Sequence, residues 1–93
     1  MFVKNMVSAR GNTVPNQFVI VAPNETVFQS YETVVAKIDE VGDVVLKKNA
    51  LDYSTTTSKY LYAFLREYSA LIDSEITKKK LKSMMAKGEI KTF

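Results

Sequence analysis

Apolar and polar side chains alternate along the first half of the chain, which is the period-two pattern of β-strands. Five short stretches carry this pattern: 2–7, 16–22, 26–31, 33–39 and 44–46. Pro23-Asn24 and Gly42 lie between neighbouring stretches and favour turns, and Gly42 also suits a positive φ. Residues 8–15 are rich in turn formers and predict a loop. The nearly continuous apolar character of 16–22 predicts a central strand covered on both faces.

The alternation also assigns side chains to the two faces of the predicted sheet. In the strand 26–31, one face holds Val27, Gln29 and Tyr31, and the other holds Phe28 and Ser30. In the strand 33–39, Val34, Ala36 and Ile38 alternate with Val35, Lys37 and Asp39. Asn16-Gln17 and Gln29-Ser30 then fall in adjacent strands, where their side chains either hydrogen-bond across the pair or bind a ligand.

After residue 50 the apolar positions change to spacings of three and four, which is the pattern of one helix face. These positions are Tyr60, Leu61, Phe64, Leu65, Tyr68 and either Leu71 or Ile72. The pattern predicts a helix over residues 55–72, with Ser54 or Thr55 as its N-cap.

A second helix is predicted over residues 74–87. Asp73-Ser74 is an N-cap signal, and Gly88 is placed to end the helix in a left-handed conformation. Glu75 and Lys79 are spaced as a weakly stabilising ion pair on this helix. Its apolar side consists of Ile76, Leu81, Met84 and Met85. The alternating residues 89–93 predict a last edge strand.

These elements together predict a single small α+β domain over residues 1–93. The strands within residues 2–47 form an antiparallel sheet of about four to six strands, which packs against the two C-terminal helices. A chain of 93 residues is expected to bury one modest core rather than a reaction chamber.

Composition removes several classes of chemistry. The chain has no His and no Cys, so His general bases, Cys nucleophiles, disulfides and the usual zinc sites are excluded. Its ten carboxylates are scattered without an Asp-rich calcium loop. No pair of side chains has a spacing that implies an activated nucleophile. We therefore expect no cofactor, no metal and no enzymatic activity.

No apolar run reaches the roughly 20 residues of a membrane span, so we expect a cytoplasmic protein.

A run of five hydroxyl residues, Ser54 to Ser58, stands between the predicted strands and the first helix. With Asp52 before it and Lys59 after it, the run has two interpretations. Free N–H groups at a helix start, hydroxyls and a lysine can hold an anion. The same residues are also the expected chemistry of a turn followed by a simple helix cap.

Basic side chains concentrate in the second half of the chain. Residues 1–46 hold three basic and five acidic groups, a net −2, whereas residues 47–93 hold ten basic and five acidic groups, a net +5. The lysines of the last predicted helix are Lys78, Lys79, Lys80, Lys82 and Lys87. They either contact nucleic acid or an acidic protein, or form a solvated face that the dipole favours near a helix C-terminus.

Tyr62 lies off the apolar face of the first predicted helix. Because Tyr is enriched among residues that dominate binding energy, Tyr62 is a candidate for contact with a partner protein. Lys59 and the lysines of the last helix complete the predicted partner-binding set.

Several segments together resemble a family of short proteins of unknown function encoded by phages and prophages. The resemblance is carried by Asn16-Gln17-Phe18, Phe28-Gln29-Ser30-Tyr31, Asp52-Tyr53-Ser54-Thr55-Thr56-Thr57-Ser58-Lys59-Tyr60, Phe64-Leu65 and the lysine-rich ending 82–89. It covers most of residues 16–89. The chain departs from the family pattern at Leu51, where an aromatic is common, and at Tyr62-Ala63, where Asn-Gln is common.

The resemblance implies an accessory protein of a bacterial virus or mobile element. Such proteins often inhibit host machinery, so it implies stoichiometric binding to a bacterial defence complex. The most concrete version is an anti-CRISPR protein bound to a Cas effector in the host cytosol. The alternative is a small nucleic-acid-binding accessory protein that uses the basic C-terminal helix.

Overall fold

The structure is a computed structural model and describes residues 1–73 and 75–93. Its strands are β1 (Phe2–Val7), β2 (Thr13–Ala22), β3 (Glu25–Ser30), β4 (Thr33–Asp39), β5 (Val44–Leu46) and β6 (Lys91–Thr92). Its helices are a short 3₁₀ turn (Ala50–Asp52), α1 (Thr55–Tyr68) and α2 (Lys78–Ala86). The predicted α+β fold class is confirmed.

The six strands form one sheet in their sequence order. The four pairings from β1 to β5 are antiparallel, as predicted, but β6 lies parallel to β5, with Val45 opposite Lys91. The sheet is therefore mixed. A parallel neighbour requires a long crossover, and the two helices between β5 and β6 provide it.

β2 starts earlier than predicted, because Thr13 to Pro15 belong to the strand rather than to a loop. The pairing of β1 with β2 is irregular between Asn5 and Val7, which leaves room for a proline without loss of a ladder hydrogen bond. The Asn5 side chain donates a hydrogen bond to the Val14 carbonyl oxygen at 2.9 Å. This bond connects the two strands where the regular backbone pairing is interrupted.

The prediction that β2 is covered on both faces is wrong. Val19 is buried in the core, whereas Phe18 and Ile20, which point to the other side of the sheet, are only half-buried. The continuous apolar run therefore marks a strand that has one face on the core and an apolar second face.

A β-bulge changes the predicted alternation in β4. Phe28 pairs with Ala36, but Gln29 pairs with Val34, so Val35 is an extra residue in the ladder. As a result Val35 and Ala36 are both buried in the core cluster. The bulge moves Val35 away from the face that period-two counting assigns to it.

The core lies between one face of the sheet and the helices. Phe28 of β3 stacks on Phe64 of α1 with a centroid distance of 5.6 Å, and the Phe64 ring also lies 5.3 Å from the ring of Tyr68. Leu81 of α2 and Ile90 before β6 join the same cluster. Both helices therefore contribute to one core.

α1 ends at Tyr68, four residues before the predicted end. Ser69 takes an extended conformation, and its hydroxyl oxygen accepts a hydrogen bond from the Leu71 N–H. Ile72 still reaches the core, but from irregular chain, and Leu71 is exposed. The apolar spacing continues past the helix because the side chain of a loop residue fills the next core position.

α2 begins at Lys78, later than predicted, and its N-cap is Thr77, whose hydroxyl oxygen accepts from the Lys80 N–H at 3.2 Å. Glu75 therefore lies outside the helix, and its predicted helical pair with Lys79 is wrong. The predicted cap at Ser74 lies outside the described residues. Gly88 does follow the helix with φ +76°, as predicted.

Within residues 1–73 and 75–93, neither α1 nor α2 has the length and apolar character needed to cross a membrane.

Candidate functional site

A cleft of about 260 Å³ lies between the β3–β4 turn and the start of α1. We call it the hydroxyl pocket, because six of its seven lining residues carry a hydroxyl group: Ser30, Tyr31, Thr33, Val35, Tyr53, Ser54 and Thr57. No charged side chain lines it. Two segments that are well separated in sequence, 30–35 and 53–57, meet here.

Hydrogen bonds between three hydroxyl groups hold the pocket together. The Ser54 hydroxyl donates to Thr57 Oγ1 at 3.2 Å and accepts from the Thr57 N–H at 3.2 Å, which is the predicted N-cap of α1. Thr57 Oγ1 also lies 2.9 Å from Ser30 Oγ, in a buried contact between α1 and β3. The hydroxyl run thus caps the helix and also ties it to the sheet.

The backbone at the mouth of the pocket is strained. Tyr31 has φ +54° in the two-residue turn between β3 and β4, and Asn16 on the adjacent strand has φ +65°. Both φ values are positive and lie in the left-handed region of backbone conformation. Asn tolerates this region, but a bulky residue such as Tyr rarely adopts it. The Tyr31 N–H donates to the Asn16 carbonyl oxygen at 2.7 Å, which joins the two unusual residues. The Tyr31 side chain is 61% exposed.

Gln17 is fully buried directly opposite Ser30 in the β2–β3 ladder. Neither its amide nitrogen nor its amide oxygen has a hydrogen-bond partner among the described residues. The predicted bond across the strand pair is therefore not formed, since Ser30 binds Thr57 and Gln29 donates to the Tyr31 carbonyl oxygen at 2.7 Å. An unpaired buried amide normally signals a missing partner.

The pocket suits an uncharged ligand better than an anion. Lys59 is not part of its lining, and its ammonium instead lies 5.5 Å from the ring centroid of Tyr60. In the described part of the chain, no three acidic side chains lie close enough to hold a metal ion.

The second candidate surface is the side of the sheet that faces away from the helices. We call it the open face. Ladder register and alternation place on it the apolar residues Val3, Phe18, Ile20, Ala22, Val27, Val34 and Val45, together with the polar and charged residues Asn5, Glu25, Gln29, Lys37 and Asp39. None of the apolar residues on this face belongs to the main core cluster or packs against it, although Val27 is itself buried. A shallow depression of about 270 Å³ lies among Val3, Phe18, Ile20 and Gln29.

The third candidate surface is the lysine face of α2, formed by Lys78, Lys79, Lys80 and Lys82, with Lys87 as the C-cap residue. All five are exposed. Among residues 1–73 and 75–93, the only ion pair joins Lys91 and Asp43 at 3.4 Å, so none of these five lysines forms an ion pair with a described residue. Lys59 stands on α1, separate from this group.

Three of these lysines lie at the wrong end of the helix for the dipole to favour them. Lys78, Lys79 and Lys80 form the first turn of α2, which contains no acidic residue. A helix N-terminus carries partial positive charge, so cations there are unfavourable. The expectation of lysines stabilised near a helix C-terminus is therefore wrong for these three.

Comparison with known families matched the chain to the Family of unknown function (DUF8033) over residues 1–83. The chain belongs to this family. The search of curated proteins and the search of solved structures found no match. The region matched to DUF8033 includes the whole hydroxyl pocket, strands β1 to β5 and the first four α2 lysines, and it ends before Lys87.

In this DUF8033 chain, Tyr62 is half-buried and packs against the core cluster. Partial burial raises the pKa of its phenol above the ordinary value, because desolvation disfavours the phenolate. Tyr62 therefore presents only part of its ring to a partner.

Sequence reasoning missed part of the pocket and the whole open face. A tight turn and a bulge place three residues in the pocket lining, namely Tyr31, Thr33 and Val35. Neither feature has a clear sequence signal. The open face did have a sequence signal, because three outward positions of its strands are apolar, namely Phe18, Ile20 and Val34.

Proposed function

We propose that this protein is a stoichiometric protein-binding module from a phage or mobile element, which acts in the bacterial cytosol by inhibiting a defence complex. The most concrete target is a CRISPR–Cas effector. Inhibition here requires binding and no catalysis. The observation that carries the proposal is the apolar open face.

The open face has the chemistry of a protein contact surface. An antiparallel sheet normally turns polar side chains toward water on its free side, but here Val3, Phe18 and Ile20 surround the depression. Exposed apolar clusters on the surface of a soluble protein are candidate interaction sites.

The adjoining edge of the sheet strengthens this interpretation. β1 is an edge strand, and three of its apolar side chains are exposed, those of Phe2, Val3 and Val7. Unprotected apolar edges invite pairing with a strand of another chain. A strand added to β1 would lie next to the depression, because Val3 belongs both to the edge strand and to the depression.

The proposal is tested by expressing the protein in CRISPR-immune bacteria and measuring phage plaquing, alongside a pulldown from the same cells. Wild-type protein is expected to restore plaquing and to capture a defence protein. Val3→Asp and Phe18→Asp are expected to weaken that complex by roughly 30-fold each, since loss of a hot-spot contact costs about 2 kcal/mol.

Val41→Asp is the matched control, because Val41 is an exposed valine in the β4–β5 turn, outside the open face. It is expected to behave like wild type. Absence of plaquing recovery across the CRISPR system types contradicts the anti-CRISPR version. Full inhibition by both open-face variants contradicts the assignment of the surface.

The second candidate function is a nucleic-acid-binding accessory protein. It is favoured by the first turn of α2, where Lys78, Lys79 and Lys80 oppose the helix dipole. Residues that disfavour their own helix are consistent with selection for contact with a polyanion rather than for stability.

Reversing the charge of Lys78, Lys79, Lys80 and Lys82 to Glu is expected to abolish salt-dependent binding to DNA or RNA. Each lysine that contacts a phosphate contributes roughly 0.7–0.9 to the slope of log affinity against log salt. The variant is expected to fold, because acidic residues suit a helix N-terminus. Lys59→Glu, a single charge reversal on the exposed surface of α1, controls for the position of the reversed charge. Salt-dependent binding by the quadruple variant at wild-type strength rejects this candidate.

A further inference from the structure

We propose that the hydroxyl pocket binds one uncharged heteroaromatic ring of the nucleobase type. Such a ring has two sources, a free nucleoside or an unpaired base of a single strand. The inference concerns a different surface from the protein contact proposed above and does not depend on it.

Size and lining favour a single ring system. The volume of about 260 Å³ lies below the roughly 300–1,000 Å³ of sites for drug-sized ligands. Tyr31 and Tyr53 contribute aromatic side chains to the lining, and Val35 adds apolar surface. Bases without a stacking partner are commonly held on aromatic side chains. The Tyr53 hydroxyl donates to Asn49 Oδ1 at 3.2 Å, which helps to fix its ring before a ligand arrives.

The absence of charge in the lining favours a base over a phosphate. A phosphate site normally presents lysine or arginine, and neither lines this pocket. Hydroxyl groups both donate and accept, so they match the mixed donors and acceptors at the edge of a base.

The hydrogen bonds among Ser30, Ser54 and Thr57 use two of their three hydroxyl protons, so one hydroxyl donor remains at the pocket wall. Ser54 uses its proton on Thr57, and one proton serves the contact between Thr57 and Ser30. Whichever of these two residues donates, the proton of the other has no acceptor in the described part of the chain. Because Ser30 and Thr57 both line the pocket, this donor is available to a base carbonyl.

Gln17 is a buried residue with an unpaired amide on the strand next to the pocket lining. Its buried amide lacks partners for both polar atoms, and it shares the core-facing side of the ladder with Ser30, its direct neighbour. Gln17 lies one strand beyond the pocket lining. A ligand that replaces the hydrogen bond between Ser30 and Thr57 leaves the Ser30 hydroxyl able to turn toward the Gln17 amide, where it can pair one of the two unpaired amide atoms.

The test is an NMR titration of the full chain with uridine, adenosine, a short oligo(dT) strand and glucose. The amide resonances of Tyr31, Tyr53 and Thr57 are expected to shift with a nucleoside or with the strand, and not with glucose. Shifts with both nucleosides identify a free nucleoside as a sufficient ligand. Shifts only with the strand identify an unpaired base as the source.

Thr57→Val is expected to weaken binding about tenfold, which equals ~1.4 kcal/mol. Thr56→Val is the matched control, since Thr56 is exposed on the same helical turn and does not line the pocket. Tyr31→Ala, on an exposed turn, provides a second variant that leaves the core intact. Unshifted pocket resonances with both nucleosides and the strand, equal shifts with glucose, or wild-type affinity in both pocket variants would overturn the proposal.

Discussion

Phe64→Ala is expected to lower the free energy of unfolding by about 3–5 kcal/mol, the usual cost of removing a buried aromatic ring. Phe64 is fully buried and contacts an aromatic ring on each side, with centroid distances of 5.6 Å to Phe28 and 5.3 Å to Tyr68. The whole free energy of unfolding of a small domain is only about 5–15 kcal/mol. The variant is therefore expected to be partly unfolded near physiological temperature, as measured by urea denaturation followed by circular dichroism.

The matched control for this variant is Arg66→Ala, an exposed position on the same helix. Surface substitutions of this kind usually change stability by less than about 0.5 kcal/mol. If the two variants have equal denaturation midpoints, the ring of Phe64 does not connect the helix to the sheet as the structure indicates.

Local patterns predicted the elements whose limits are set by their own residues. β4 and β5 have the predicted bounds, because the turn at Gly42 separates them without help from distant segments, although the bulge interrupts the alternation within β4. The cap at Ser54 and the helix end at Gly88 were predicted for the same reason, since hydroxyl and glycine act on the adjacent backbone.

Features that depend on distant partners could not be predicted. The bulge at Val35 exists because β4 must pair with β3 while its side chain fills the core. α1 ends at Tyr68 although the apolar spacing continues, because Ile72 reaches the core from a loop. The parallel pairing of β6 depends on where α2 returns the chain. Each of these outcomes is decided by packing rather than by local propensity.

The hydroxyl pocket shows the same limit at a candidate site. Its two key hydroxyls, on Ser30 and Thr57, lie 27 residues apart in sequence. The sequence singled out Asn16-Gln17, Phe28–Tyr31 and the hydroxyl run as separate segments. The packing of α1 brings the last two segments together at the pocket, and ladder register places Gln17 on the strand beside it. The sequence therefore contained the parts of the pocket but not their arrangement.

Gln17→Leu is expected to raise the free energy of unfolding by about 1–3 kcal/mol, the cost of leaving a buried polar group unpaired. Leucine has a similar volume and no polar atoms, so it fills the site without an unmet hydrogen bond. The same substitution is expected to weaken nucleoside binding, because it removes the amide that becomes satisfied when the pocket is occupied. A gain in stability combined with a loss of binding is typical of a residue kept for function.

Gln29→Leu is the matched control, since it removes the same side chain from the neighbouring strand. Its amide does have a partner, the Tyr31 carbonyl oxygen at 2.7 Å, so the change is expected to cost about 0.5–1.5 kcal/mol. Urea denaturation of both variants gives opposite signs if the two amides differ as described. Destabilisation by both substitutions would mean that Gln17 is already hydrogen-bonded in solution, and the amide would then no longer support a ligand in the hydroxyl pocket.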